Sequence, residues 1–316
     1  MKILIAEDDP VSRRVLEEFL RKWGYEVVAV ANGADAWARL AAEDAPPRMA
    51  ILDWMMPELE GIEVCRLVRA RSGRAYTFLI LVTAHGQRYS LLAGLKAGAD
   101  DYLSKPFDAE ELRARLQVGE RILRMQDELI AAHDALHFQA THDLLTGVSS
   151  RGAAMDFLTR ELARGFRENR TMGIVLADLD YFKHINDQYG HLVGDAVLQE
   201  LARRMLKCVR AYDCVGRYGG EEFLIIFPSS NEEGTMRQTE RIRKLVESAP
   251  IQVLEAQIPV TASFGIVTTD PSRLQGAMEL LCNADAALYR AKELGRNRVE
   301  RAVPAELLAV PSPEKS

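Results

Sequence analysis

Five short apolar runs separated by amphipathic segments dominate the first 120 residues: KILIA (2–6), EVVAV (26–30), MAILD (49–53), FLILVT (78–83) and DDYLS (100–104). A strand with water on one face alternates apolar and polar residues. Several of these runs have almost no polar member, as strands covered on both faces do. The segments between them carry helical patterns of about 10 to 15 residues. Strands alternating with helices close into a parallel sheet with helices on both faces, which predicts a doubly wound, five-stranded α/β domain over residues 1–120.

Sheets of this kind carry their sites at the carboxyl ends of the strands. Glu7 and Asp8 follow the first run, Asp53 ends the third, Thr83 ends the fourth and Lys105 follows the fifth. Carboxylates gathered at one edge repel each other unless a cation joins them, and Glu7, Asp8 and Asp53 make a hard, oxygen-rich set that suits Mg²⁺. Lys105 can neutralise phosphoryl oxygens, and the Thr83 hydroxyl can donate to one. The chemistry that fits is transfer of a phosphoryl group onto Asp53, giving an acyl phosphate.

A helical stretch follows at about 109–140. Val118, Ile122, Met125, Leu129, Ala132, Leu136 and Gln139 alternate steps of four and three, a short heptad seam. Two readings fit: an amphipathic helix packed on its own domain, or a parallel two-chain coiled coil. The second is preferred, because the segment joins two domains. Beyond it, residues 141–302 hold strand candidates at 173–180, 214–218, 222–227 and 260–267 and helical patterns at 151–167, 192–209, 232–248 and 276–294, a second α/β sheet covered by helices. Residues 303–316 hold three prolines and read as a flexible tail.

Composition excludes several classes. A net charge of −6 with no long basic run argues against a nucleic-acid surface. No helix-turn-helix with a basic face follows the first domain, as a DNA-binding regulator would need. Cys65, Cys208, Cys214 and Cys282 form no CxxC pair, so they read as thiols in a reducing cytosol. The start MKILIAEDDP turns acidic too early for a signal peptide, and no apolar run approaches the roughly 20 residues that cross a bilayer. A cytoplasmic protein with no membrane or nucleic-acid partner is expected.

The second domain carries its own constellation. LADLDYFKHINDQYGHLVGD (176–195) puts Asp178 and Asp180 at a strand end, with Lys183, Asn186, His191 and Asp195 after them. Gly219 and Gly220 precede Glu221 and Glu222, at the start of another strand. Adjacent glycines permit a tight hairpin and close approach of a ligand. If the two strands are neighbours, Asp178 meets the glutamates at a sheet edge, where one or two Mg²⁺ ions could be held against a polyphosphate. Lys183, Lys292 and Arg296 would supply positive charge to the phosphates.

These motifs resemble two known families. ILIAEDD, ILDWMMPELEG, LVTA and DYLSKPF are similar to a response-regulator receiver domain over about 1–120. That resemblance implies Asp53 as phospho-acceptor, one Mg²⁺ held by Asp8, Asp53 and the Met55 carbonyl with Glu7 assisting, and Thr83 and Tyr102 as switch residues. It also implies a cis Lys105–Pro106 bond and a histidine kinase as phosphodonor. DLDYFKHINDQYGHLVGD, RYGGEEF and DAALYRAKELGRN resemble the GGDEF diguanylate cyclases over about 141–300. This implies condensation of two GTP into cyclic di-GMP and two pyrophosphates in a homodimer or tetramer, with two Mg²⁺ per site. Asp178, the Leu179 carbonyl and Glu221 would hold metal, Glu221 would take the 3′-hydroxyl proton, and Glu222 would support the metals. Asn186 and Asp195 would bind the guanine edge, with His191 between them. Arg210 and Asp213 stand where RxxD forms the family's product-inhibition site, and Arg241 is a candidate second arginine there. The family's TDxLTGLxNR segment reads THDLLTGVSSR here, and Val148 and Ser150 are expected to loosen that turn. A non-catalytic receptor for cyclic di-GMP is the alternative.

Overall fold

The computed structural model describes residues 1–42, 44–71, 75–84, 93–253 and 255–303. The chain divides into two units, Met1–His133 and Asp134–Ser316. In the first, the apolar runs become β1 (Lys2–Ala6), β2 (Glu26–Val30), β3 (Met49–Asp53), β4 (Phe78–Thr83) and β5 (Asp101–Ser104). They form one parallel sheet in the order β2-β1-β3-β4-β5. Both faces are covered, which is why the runs lack polar members. Leu4, Ala6, Ala50 and Leu52 pack with Ala36, Leu40 and Ile62 on one face. Ile3, Ile5, Met49 and Ile51 pack with Leu16, Leu20, Leu112 and Leu116 on the other. The first helix, Pro10–Lys22, starts where it does because the Asp9 carboxylate accepts the Ser12 N–H at 2.8 Å and Pro10 occupies the first turn, where no donor is needed.

The connecting helix runs Ala109–Thr141. Leu112, Leu116, Gly119 and Leu123 face the sheet of the first unit, and Gly119 lets the helix lie close: a Cβ there would stand 2.6 Å from the Phe78 ring and 2.7 Å from the Met49 methyl. Arg48 and Asp127 add a two-pronged ion pair at 2.6 and 2.8 Å. The heptad positions lie on another face. Leu129 is 69% exposed and Leu136 65%, against 0% for Leu112 and Leu116. One stripe of the helix is therefore packed on its own sheet, and the seam is left facing solvent.

In the second unit, β6 (Gly173–Leu179), β7 (Cys214–Gly219), β8 (Glu222–Phe227), β11 (Ala262–Thr268) and β12 (Val299–Arg301) form a mixed sheet in the order β12-β11-β6-β8-β7. A separate hairpin pairs β9 (Ile251–Val253) with β10 (Ala256–Ile258). That hairpin, β12 and a short helix at Phe182–Tyr189 add to the elements expected from sequence. The central strand β6 is buried along its whole length.

The expected loosening at Val148 and Ser150 is not what the structure shows. Val148 is a core residue, and Ser150 caps the helix Arg151–Glu168 by accepting the Ala153 N–H at 3.3 Å. Serine serves the capping role as asparagine does, so the turn stays closed. Apart from residue 303, the tail expected over 303–316 lies outside the described residues.

Candidate active site and phosphoacceptor site

β6 and β8 run antiparallel with Asp178 directly opposite Glu222, and the Leu179 N–H donates to the Glu221 carbonyl at 3.4 Å. The β7–β8 hairpin is irregular between Arg217 and Gly219, and Gly220 has a φ of +36°, a conformation that suits glycine. The Arg217 guanidinium donates to the Gly220 carbonyl at 2.8 Å and pins the turn. A Cβ on Gly220 would meet nothing within 4 Å, so the space above the turn is open. The paired acids and the open glycine turn therefore adjoin one strand end.

Electrostatics mark the same place. Asp178 is buried, and burial, resisted by a hydrogen bond from Lys292 and reinforced by Glu221 and Asp180, holds its carboxyl above the ordinary range. The Lys292 ammonium lies 2.8 Å from Asp178 Oδ2. Glu222 is also raised, by burial first and then by Asp178. The cluster thus has more negative charge than one lysine satisfies, and its donors are hard oxygens; both facts fit a divalent cation. Among the described residues, however, only Glu7, Asp8 and Asp53 bring three carboxylates within 4.8 Å of one another, so Asp178, Glu221 and Glu222 are more widely spread.

Two helices follow β6 in the chain. Phe182–Tyr189 carries an exposed Lys183 and a half-buried Asn186, and His191–Cys208 carries exposed His191 and Asp195. They meet at Gly194, where a Cβ would stand 1.9 Å from Asn186 Oδ1. This close approach brings Asn186 beside the residue preceding Asp195. Arg296 lies over the Tyr181 ring, 4.6 Å from its centroid.

In the first unit, Lys105 Nζ reaches Glu7 at 2.6 and 2.8 Å and Asp53 at 2.7 Å. Burial alone would lower Lys105, but its hydrogen bonds to Asp53 and Glu7 hold it above its ordinary value. Glu7 is pushed up to about 7 by burial, against the Lys105 hydrogen bond and with Asp53 adding to the rise. Asp8 is exposed at the rim, and the Lys105–Pro106 bond is cis. Met55 is 71% exposed on the loop after β3, and Thr83 ends β4. Tyr102 lies in β5, with the Arg115 guanidinium 5.6 Å from its ring centroid. These acids and the lysine converge as the strand-end rule requires.

Comparison with known proteins names both domains. The diguanylate cyclase GGDEF domain matches residues 140–298, and the response regulator receiver domain matches residues 3–117. The chain belongs to the GGDEF family. Its receiver domain precedes the GGDEF domain. The response regulator PleD of Caulobacter vibrioides is 30% identical over 94% of this chain and 65% of PleD. Diguanylate cyclase DgcP of Pseudomonas aeruginosa is 36% identical over 67% of this chain and 32% of DgcP. This GGDEF chain thus spans less than two thirds of either relative. Among solved structures, the coiled coil and GGDEF domain of DgcB from Caulobacter crescentus, in complex with c-di-GMP, superposes with a TM-score of 0.53 at 31% identity, covering 60% of this chain and 99% of that one. SiaD from Pseudomonas aeruginosa, in complex with its activator SiaC, gives 0.51 at 34% identity over 61% of this chain and 74% of SiaD.

The RxxD turn of this GGDEF domain is closed on itself. The Arg210 N–H donates to the Asp213 carboxylate at 2.8 Å, and the Arg210 guanidinium bonds the Tyr212 hydroxyl. Burial raises Asp213, opposed by Arg210 and by Arg241, which is near enough to act on it while bonding the Cys208 carbonyl. The turn and the helix Glu232–Glu247 thus bring all three residues together. Sequence reasoning missed Asp285, whose negative charge helps to raise Glu222, and the separate part played by Asp180. Residue type alone leaves Asp178 and Asp180 equivalent in a DLD motif; the family resemblance assigned metal to Asp178, and only tertiary partners show what Asp180 does.

Proposed function

We propose that this GGDEF protein is a phosphorylation-regulated cytoplasmic diguanylate cyclase. It condenses two GTP into cyclic di-GMP and two pyrophosphates across a homodimer. The observation that carries the reading is the Asp178–Glu222 pairing beside the open Gly219–Gly220 turn, with Lys292 on Asp178. The relatives named as diguanylate cyclases support it.

Asp178, the Leu179 carbonyl and Glu221 would hold Mg²⁺, with Glu222 in support; bound there, the ion supplies charge neutralisation for a triphosphate. Glu221 takes the proton of the 3′-hydroxyl. That oxygen bonds the α-phosphorus of the facing GTP, and the bond to the β-phosphate oxygen breaks to release pyrophosphate. Lys183, Lys292 and Arg296 hold the phosphates, and Asn186 and Asp195 read guanine, with His191 alongside. Each protomer brings one GTP, so two copies must face each other to align the reacting atoms.

In the receiver, a histidine kinase phosphorylates Asp53. Glu7, Asp8 and the Met55 carbonyl would join Asp53 around Mg²⁺, Lys105 contacts the phosphoryl group, and Thr83 and Tyr102 respond. The exposed seam of the connecting helix pairs two chains and passes the change on. Cyclic di-GMP binds back at Arg210, Asp213 and Arg241 and inhibits.

The test is to incubate the purified chain with GTP and Mg²⁺, with and without beryllofluoride, and to identify products by mass while measuring oligomeric size. Cyclic di-GMP that rises with beryllofluoride is expected. Asp53→Asn should make product without responding to acetyl phosphate. Absence of cyclic product under every condition would overturn the cyclase reading and favour a receptor for the dinucleotide.

A further inference from the structure

Arg296 sits in a backbone conformation that arginine rarely adopts. Gly295, Arg296 and Asn297 have successive φ values of +108°, +61° and +47°. Glycine enters this region freely, but two consecutive residues with side chains are strained there and persist only where their surroundings over-determine them. The Asn297 side chain donates to Glu247 at 2.8 Å and accepts from Arg243 at 2.9 Å, the Arg296 N–H donates to the Ala291 carbonyl at 3.0 Å, and the buried anchor of the turn is one carboxylate. Asp180, 4% exposed, accepts the Asn297 N–H at 3.1 Å and the Thr261 hydroxyl at 2.7 Å on Oδ2, and the Ser263 hydroxyl at 2.7 Å on Oδ1. Its own N–H donates to the Thr261 carbonyl at 2.9 Å. Ser263 is also the β11 partner of Asp178 in the sheet, so the strand pair that presents the metal-site acid also anchors this turn.

The next residue completes the arrangement. Tyr181, itself at a φ of +58°, places its ring against the Arg296 guanidinium, with the hydroxyl 3.5 Å from a guanidinium nitrogen. A planar cation stacked on an aromatic face is held in orientation while its remaining donors stay available. Asp180, by contrast, is occupied by three donors from its own domain and is not positioned as a ligand.

We infer that Asp180 is a positioning residue for the nucleotide. It locks the Gly295–Asn297 turn in its left-handed form, so that Arg296, backed by Tyr181, is aimed at the phosphates before GTP arrives. The inference rests on the cyclase reading and deepens it. Without the lock, Arg296 must be ordered at the expense of binding free energy. The loss then falls on ground-state affinity rather than on the chemical step.

The experiment uses the full chain in Mg²⁺ and measures affinity for the non-reacting α,β-methylene analogue of GTP by calorimetry, alongside KM and kcat. Asp180→Asn keeps the shape but removes the charge and replaces an acceptor with a donor; about tenfold weaker binding is expected, with KM changing more than kcat. Arg296→Ala should weaken binding, and the Asp180→Asn/Arg296→Ala double variant should bind no more weakly than Arg296→Ala alone, because one residue acts through the other. Should Asp180→Asn fold poorly, Thr261→Val removes one donor and should weaken binding, while Thr261→Ser keeps the hydroxyl and should bind as wild type. Additive losses in the double variant, or wild-type affinity in Thr261→Val, overturn this inference while leaving the cyclase reading in place. A wild-type chain that binds no analogue overturns both.

Discussion

Replacing Gly265 with alanine should damage stability and the active site together. Gly265 lies in β11, opposite Leu176 of β6, beneath the helix Ala277–Glu293. A Cβ there would stand 2.1 Å from the Ala284 carbonyl oxygen and 2.3 Å from the Leu288 nitrogen. These are backbone atoms of a helix, so no side chain can rotate away. Restoring a contact of about 3.5 Å requires the helix to move outward by about 1.4 Å. Overpacking that side chains can absorb costs about 1–3 kcal/mol. Here backbone must yield, so about 3 kcal/mol is the expected minimum, or roughly 6–12 °C in the melting of a domain this size. The displacement reaches function because Leu288 lies one turn before Lys292, whose ammonium sits 2.8 Å from Asp178. A shift of about 1.4 Å would break that contact. Calorimetric melting of the full chain, with KM for GTP measured on the same sample, tests the argument. A Gly265→Ala chain whose GGDEF transition stays within about 2 °C of wild type, with KM unchanged, would show that the packing argument is wrong.

Other outcomes follow from the same geometry. Glu7 has a folded pKa of about 7 against 4.5 for the free group, so between those values the folded state binds more protons than the unfolded one. Its contribution is fully present below pH 4.5 and lost as pH rises to 7; urea titrations in EDTA should show Glu7→Gln flattening this fall, and an unchanged slope would contradict the assignment. Asp127→Asn removes the fork to Arg48, which is partly exposed and worth about 1 kcal/mol or less. It should speed hydrogen exchange in residues 124–133, and the Arg48→Asp/Asp127→Arg swap should restore protection; equal exchange in all three chains would count against the clamp. Ser150→Ala should lower stability by about 1 kcal/mol and Ser150→Asn should not, as read by thermal melting. Equal melting of the two variants would mean that the cap contributes nothing.

Much of the first domain could be read from its sequence because a two-sided parallel sheet writes itself as uninterrupted apolar strands, and the strand-end rule then selects Glu7, Asp53 and Lys105 without coordinates. The second domain was harder. Its long strands were legible, but β9, β10 and β12 are three residues each, too short for periodicity to register. The connecting helix shows a related limit. A heptad at 118–139 is visible in the sequence, yet the stripe at Leu112, Leu116, Gly119 and Leu123 that packs on the receiver sheet emerged only once the sheet was in place.

By itself the sequence determined which chemical groups the chain owns and, through apolar periodicity, which strand ends carry them. It named Asp178, the Gly-Gly turn and the paired glutamates as a set, because each alone reads as an ordinary turn or cap and only their conjunction points to metal and nucleotide chemistry. Only the tertiary structure decided that Asp178 faces Glu222 and Lys292 while Asp180, two residues on, is consumed by Thr261, Ser263 and Asn297. The reason is that hydrogen-bond partners across 81 to 117 residues of chain are set by how strands and helices pack, and no local pattern records them.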